Sequence, residues 1–360
     1  MQFLPSVELG RLIEVLREQG FKCLGSVVRE GAVVYAEIAS ASELAVGVSD
    51  RQRPGEYRLT RSDRLRYFDW AAPAQSLKPL LFKPREDLWR CVRDADGTLE
   101  FTEAKPEPAM RAVIGVRACD LAALALNDRH FLGNLRDPYY AAQRRALFTV
   151  AVHCTRPAET CFCASTGDGP HADAGFDLAL HELDEGFLVE VGSLAGEAVA
   201  AALPLEDASP EQIRRAANEL RDATEMQHRA LPGRDLRESL LARQEHPRWD
   251  QVAARCLACG NCTSVCPTCF CHADEETAEL DGEISRHERV WDSCFTQGHS
   301  YIHGIVIRAD TRLRYRQWLT HKLGTWHDQY GRSGCTGCGR CITWCPVGID
   351  LTEEAHELLK

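Results

Sequence analysis

Two cysteine runs constrain this chain more than any other feature: Cys256-Leu-Ala-Cys259-Gly-Asn-Cys262-Thr-Ser-Val-Cys266-Pro267 and Cys335-Thr-Gly-Cys338-Gly-Arg-Cys341-Ile-Thr-Trp-Cys345-Pro346. Each sets three thiols at intervals of three and a fourth after three more residues, with proline behind it, the ligand spacing of paired [4Fe–4S] cubes. A tight loop wraps three thiolates around one face of a cube, and Gly260, Gly337 and Gly339 let the backbone come close. The fourth cysteine, on a stiff Cys-Pro turn, points away and serves the neighbouring cube.

That crossing assigns Cys256, Cys259, Cys262 and Cys345 to a first cluster, and Cys335, Cys338, Cys341 and Cys266 to a second. Structural zinc is the competing use for sets of four thiolates. It needs only two cysteine pairs per site and makes no use of the doubled three-plus-one run.

The chain holds seventeen cysteines among 360 residues, an odd number, and fourteen of them fall within 154–163, 256–294 and 335–345. A disulfide scaffold belongs to small secreted domains, so ligation is the better account. The formal charge of −11 excludes a nucleic-acid backbone as the natural partner. No apolar run approaches the ~18 residues needed to cross a bilayer. The start MQFLPSVELG lacks the basic and apolar stretches of a signal peptide, so a cytoplasmic protein that does not enter a membrane is expected.

The expected fold class is α+β. Residues 1–200 read as a mixed α/β domain, 201–255 as a helical linker, and 256–360 as a two-cluster ferredoxin-like domain with a long insert at 270–330. Ser6 is placed to cap a helix carrying Leu9, Leu12, Ile13 and Leu16 on one face, ended by Gly20. Two alternating runs around Arg29-Glu30-Gly31 predict paired strands, whereas 51–80 reads as charged, irregular surface. Ala112–Val116 and Leu147–Val152 are buried-strand patterns that run into Cys119 and Cys154, with Asp120 placed to cap the helix that follows. Ser209-Pro210-Glu211-Gln212 is a helix start with a reciprocal cap, and Pro232-Gly233 a break.

Strand ends in an open α/β sheet are where ligands bind, so Cys119 and Cys154, with Cys161 and Cys163, form a third set of four thiols. A third [4Fe–4S] cluster is expected there, against zinc or unligated thiols. In the insert, Cys269, Cys271 and Cys294 either join a further cluster, exchange with Cys266, or lie behind the ligands as weak donors to sulfide. His272 follows the Cys269/Cys271 pair and is either a ligand or an ordinary packed residue. Cys23 and Cys91 stand alone as core residues. The basic run 308–322 either balances anionic clusters or is a solvated helix face, and Trp318, Trp326 and Trp344 are placed to shield the clusters from water. No GxGxxG follows a strand and no Walker loop is present, so there is no sequence case for a nucleotide or flavin site.

Several stretches together resemble the iron–sulfur β subunit of soluble NAD(P)-linked [NiFe] hydrogenases (sulfhydrogenases), a family shared with the corresponding iron–sulfur component of anaerobic sulfite reductase. They are Gly115-Val-Arg-Ala-Cys119-Asp120, His153-Cys154-Thr155, Cys161-Phe-Cys163, Cys266-Pro-Thr-Cys269-Phe-Cys271, Arg314-Tyr-Arg-Gln-Trp318 with His321-Lys322, and Gly337 to Pro346. The resemblance implies an electron carrier, not itself catalytic, between two other subunits. One binds FAD and a [2Fe–2S] centre and exchanges hydride with NAD(P)H. The other is the [NiFe] hydrogenase small subunit or, in the alternative, a siroheme sulfite reductase subunit. A self-contained iron–sulfur reductase is the reading from another class. Where the family often reads Ser-Met-Gly-Thr-Gly-Pro, this chain has Ser165-Thr166-Gly167-Asp168-Gly169-Pro170, which changes the loop's polarity and removes no cysteine.

Overall fold

A computed structural model describes residues 1–360. In chain order the strands are Gln2–Pro5 (β1), Lys22–Arg29 (β2), Ala32–Glu37 (β3), Val48–Arg53 (β4), Glu56–Arg61 (β5), Arg85–Arg93 (β6), Leu99–Glu103 (β7), Arg111–Val116 (β8), Leu147–Val152 (β9), Leu178–Leu183 (β10), Gly186–Val191 (β11), Glu206–Asp207 (β12), His272–Ala278 (β13) and Ile284–Trp291 (β14). Mixed α and β structure is what the sequence patterns predict. The alternating runs form the antiparallel β2–β3 pair. Its turn residues Glu30 and Gly31 take φ of 49° and 76°, the two left-handed positions a tight hairpin requires.

One eight-stranded sheet has the order β12-β1-β11-β10-β9-β8-β2-β3, in which the neighbours β10, β9, β8 and β2 are parallel. Both faces are covered, so its central strands are continuous apolar runs. Ala112, Ile114, Phe148 and Val150 pack into a core with the helix Leu9–Glu18, while Val113, Val116, Leu147 and Ala151 pack on the other face with the helix Ala118–Phe131. This leaves Cys119 and Cys154 just beyond the carboxyl ends of two adjacent parallel strands.

The region 201–255 divides its packing. The helix Pro210–Glu225 starts with the expected reciprocal cap between Ser209 and Gln212 and lays Ala216 against Phe3, Leu183 and Leu188. Leu240, Trp249 and Val252 instead enter a separate core with Trp318, Leu323, Ile342 and Leu358, around the cysteine motifs. The insert is tied to the first half of the chain, because β14 pairs with β6 in a four-stranded antiparallel sheet, β13-β14-β6-β7.

Three local expectations are corrected. Ser6 opens a short 3-10 turn and makes no capping bond to the helix Leu9–Glu18. Asp120 lies inside the first turn of the helix Ala118–Phe131, where an arginine holds it instead of a backbone amide. The stretch 51–80 is not irregular surface: β4 and β5 form a hairpin, and Phe68, Trp70, Ala71, Ala72 and Leu77 are buried. The charges of this stretch mask its burial, yet Arg66 is itself buried, bonded to Asp184 at 2.7 Å and to Glu219 at 2.8 Å.

Glu219 has a consequence in acid. Burial alone would raise its carboxyl, but His181 and Arg66 pull it down to about 2 from an ordinary 4.5. A depressed carboxylate contributes stability above its unfolded value and loses it as pH falls through the folded one. The wild type is therefore expected to lose stability relative to Glu219→Gln between pH 4.5 and about 2, read as the difference in urea midpoints. A gap that stays constant across that range refutes the linkage.

Candidate iron–sulfur centres

Cys256 follows the helix Arg248–Ala253, and Gly260 at φ 73° turns the loop into the short helix Asn261–Ser264 that carries Cys262. Cys256, Cys259, Cys262 and Cys345 line one cavity, walled by Phe295, Tyr315 and Trp318. Cys341 lines the same cavity. The amide of Ala258 points at Cys256 Sγ at 3.4 Å and that of Ile349 at Cys345 Sγ at 3.3 Å. Such N–H groups favour a thiolate, whereas burial pushes the Cys256 and Cys262 thiols up.

Cys335, Cys338 and Cys341 converge with Cys266, each sensing the charge of Cys266. Burial raises the Cys335 thiol to about 12. Cys266 goes the other way, drawn down by the Cys269 thiol and by Lys322 against its burial. Thr268 Oγ1 sits 3.3 Å from Cys266 Sγ and accepts from Lys322 Nζ at 2.7 Å. Lys322 lies on a π-helical turn, His321–Thr325, a departure from regular helix that often marks functional positions.

Cys119, Cys154, Cys161 and Cys163 are all buried. Cys163 and Cys161 both sense Cys154 and Cys338, and Cys119 senses Cys338 and Cys163, so this set lies against the second motif. The contact is tight because Gly337, at φ 65°, has no side chain: a Cβ there would fall 2.5 Å from the Cys163 backbone. Gly337 O accepts from Phe162 N at 2.8 Å, and Thr160 Oγ1 meets Thr343 Oγ1 at 2.8 Å. Gly337→Ala is expected to destabilise the chain by about 2–4 kcal/mol, since strain at positive φ adds to overpacking. Gly331→Ala, at φ 69° with nothing within 4 Å, is the control that carries the φ strain alone. Equal urea midpoints for the two variants contradict the close approach.

In the insert, Cys294 is buried while Cys269 and Cys271 are partly so. His272 is exposed and bonds the Phe270 carbonyl, away from the thiols. The histidine that does sense a thiol is His299, which Cys271 and Asp292 raise above its ordinary value against burial, and the sequence reading missed it because it is remote in sequence from the dense cysteine run. Cys23 and Cys91 lie apart from these groups, the first in the sheet core with Sγ 3.7 Å from the Ile13 carbonyl.

The sequence reading also passed over most of the buried cations. Arg117 is 2% exposed and bonds the carbonyls of Phe68, Trp70, Ala71, Val152 and His153, beside Cys154. Lys78 bonds the Thr263 and Ser264 carbonyls at 3.1 and 3.0 Å and lies 3.9 Å over the Trp291 ring. Lys322 completes the group, and in the basic run it differs from Arg312 and Arg316, which pair with Glu245 at the surface. Arg117 lies within the field of the buried carboxylates Asp50 and Glu182, whereas Lys78 and Lys322 have thiols as their opposing charges, and an uncompensated buried charge is costly. Thiolates around a net anionic cube would give Lys78 and Lys322 a counter-charge.

Zinc fits poorly. A zinc ion with four Zn–S bonds of about 2.3 Å draws its sulfurs to roughly 3.8 Å from one another. Nowhere do three cysteine sulfurs lie within 4.8 Å of each other; the one trio that does is His153, His171 and Glu190. There, His153 Nδ1 accepts from the Ala172 amide, which leaves the proton on Nε2, 3.4 Å from Glu190.

The 4Fe-4S dicluster domain family matches residues 255–349. Sulfhydrogenase 2 subunit beta of Pyrococcus furiosus is 32% identical over 288 residues, covering 78% of this chain and 82% of that protein. No solved structure matches. No helix is long and apolar enough to cross a membrane. With the cysteine groups, the buried cations and this likeness in agreement, the chain belongs to the family of iron–sulfur β subunits of sulfhydrogenases.

Proposed function

We propose that the chain relays electrons between an FAD/[2Fe–2S] subunit that reacts with NAD(P)H and a [NiFe] hydrogenase small subunit, through [4Fe–4S] clusters. Cys256, Cys259, Cys262 and Cys345 hold one; Cys335, Cys338, Cys341 and Cys266 a second; Cys119, Cys154, Cys161 and Cys163 a third. When bound, such cubes supply one-electron carriers. The residues supply the rest: amides and Thr268 orient thiolates, Arg117 and Lys322 offset their charge, and Trp318 and Tyr315 exclude water.

The observation that carries the relay reading is the shared wall. Gly337 and Gly339 of the second motif touch the backbone of 160–163, and Cys341 lines the first cavity together with Cys345, so the three thiol sets form one continuous series. Electron transfer needs that proximity; independent structural sites do not.

The chain purified alone is expected not to oxidise NAD(P)H, and to gain that activity toward an acceptor only with the flavin subunit. Turnover by the chain alone with bound flavin would support the self-contained reductase. Co-purification with a siroheme subunit in place of a nickel–iron one would assign the chain to anaerobic sulfite reductase.

A further inference from the structure

We propose that Cys269, Cys271 and Cys294, with His299 as the fourth ligand, hold an additional [4Fe–4S] cluster at the base of the β13–β14 hairpin. This site rests on the relay reading, in which Cys266 completes the second-motif set and so leaves Cys269 free. The hairpin gathers the ligands. His272 pairs with Trp291 across it, and the Asp292 amide donates to the Cys271 carbonyl at 2.9 Å, so the segments carrying Cys271 and Cys294 leave the hairpin side by side.

His299 is held as a metal-binding histidine is held. Its Nδ1 lies 2.9 Å from Asp292 Oδ2, and Asp292 is fixed in turn by Thr296 Oγ1 at 2.6 Å and the Ser293 amide at 2.7 Å. The carboxylate takes the Nδ1 proton, which leaves the Nε2 lone pair free to ligate. A carboxylate behind an imidazole is the usual support of a ligating histidine.

Room and charge agree. A cavity here is lined by Cys269 and Cys271 with Lys78, Trp291, Asp292 and Ser293, and Cys294 and His299 adjoin it through Ser293 and Asp292. Burial lowers the Lys78 ammonium from its ordinary value, and Cys269, Cys266 and Cys271 act against that. No three ligand atoms of the set lie within 4.8 Å of one another, too open for a single ion. Replacing one thiolate by neutral imidazole lowers the anionic charge, which raises the potential of an iron–sulfur centre. This cluster is therefore the electron-attracting end of the series.

The test uses the full chain reconstituted anaerobically with iron and sulfide. Cys294→Ala and Cys271→Ala are each expected to lose about four irons and four sulfides relative to wild type. Pulsed EPR of the reduced wild type is expected to show a directly coordinated nitrogen that vanishes in His299→Ala. His299→Cys retains the iron, loses the nitrogen signal and lowers one midpoint potential. Wild-type iron in both cysteine variants overturns the site, and absence of a coordinated nitrogen overturns the histidine ligand. Cys271→Ala serves if Cys294→Ala fails to fold, being at a partly exposed position. None of these residues belongs to the three sets of the relay reading, so its failure shows separately, in variants of Cys345 and Cys335.

Discussion

Arg340→Met is expected to destabilise the folded chain by about 3–5 kcal/mol, the cost of leaving one member of a buried ion pair alone. Arg340 and Asp120 have side chains each 1% exposed and join through two bonds of 2.7 Å. The arginine also donates to the Pro73 carbonyl at 2.9 Å, so one guanidinium ties together the second cysteine motif, the helix after β8 and the buried stretch that follows β5. Without it, Asp120 stays buried beside Cys119 and Cys338 with no cation. Asp120→Leu combined with Arg340→Met removes both charges and is expected to be less damaging than either change alone. Urea midpoints of the four proteins decide it; a loss near zero for Arg340→Met would show that the pair does not hold the two regions together.

Cys345→Ser is expected to remove about four irons and four sulfides, because a cube without its fourth thiolate is not retained. Cluster binding is also folding energy for such loops, so the core around Trp249, Trp318 and Ile342 should soften with it. The double variant with Cys335→Ser separates crossed from uncrossed ligation. If the fourth ligands cross, the two cysteines serve different cubes and about eight irons are lost; if they do not, both serve the same cube and the loss stays at about four. Cys23→Ser should leave the iron unchanged, since its sulfur sits in the sheet core against the Ile13 carbonyl.

Local pattern made much of this legible. Alternation gave the β2–β3 hairpin, apolar runs gave β8 and β9, and Ser209 with Gln212 marked a helix start. Spacing alone brought the two motifs forward as ligand sets. What escaped depends on contacts between distant segments. Lys78, in a charged turn-rich stretch, reads as a surface lysine, yet its partners are the Thr263 and Ser264 carbonyls. Asp120 has the residue type and position of a cap, and only Arg340, far along the chain, shows its use. His272 looks like a ligand because it is next to Cys271, but pairing in β13 leaves it exposed, while His299 comes in from a later turn.

The placement of Cys345 beside Cys256, Cys259 and Cys262 also dictates a timetable. Eighty-three residues separate Cys262 from Cys345. At about 5–20 residues per second, the ribosome takes roughly 4–17 s to make that stretch. Throughout that interval the nascent chain displays three converging thiols that lack their partner. With Cys345 as the proposed fourth ligand, cluster delivery would have to wait for the later motif or stabilise an incomplete site.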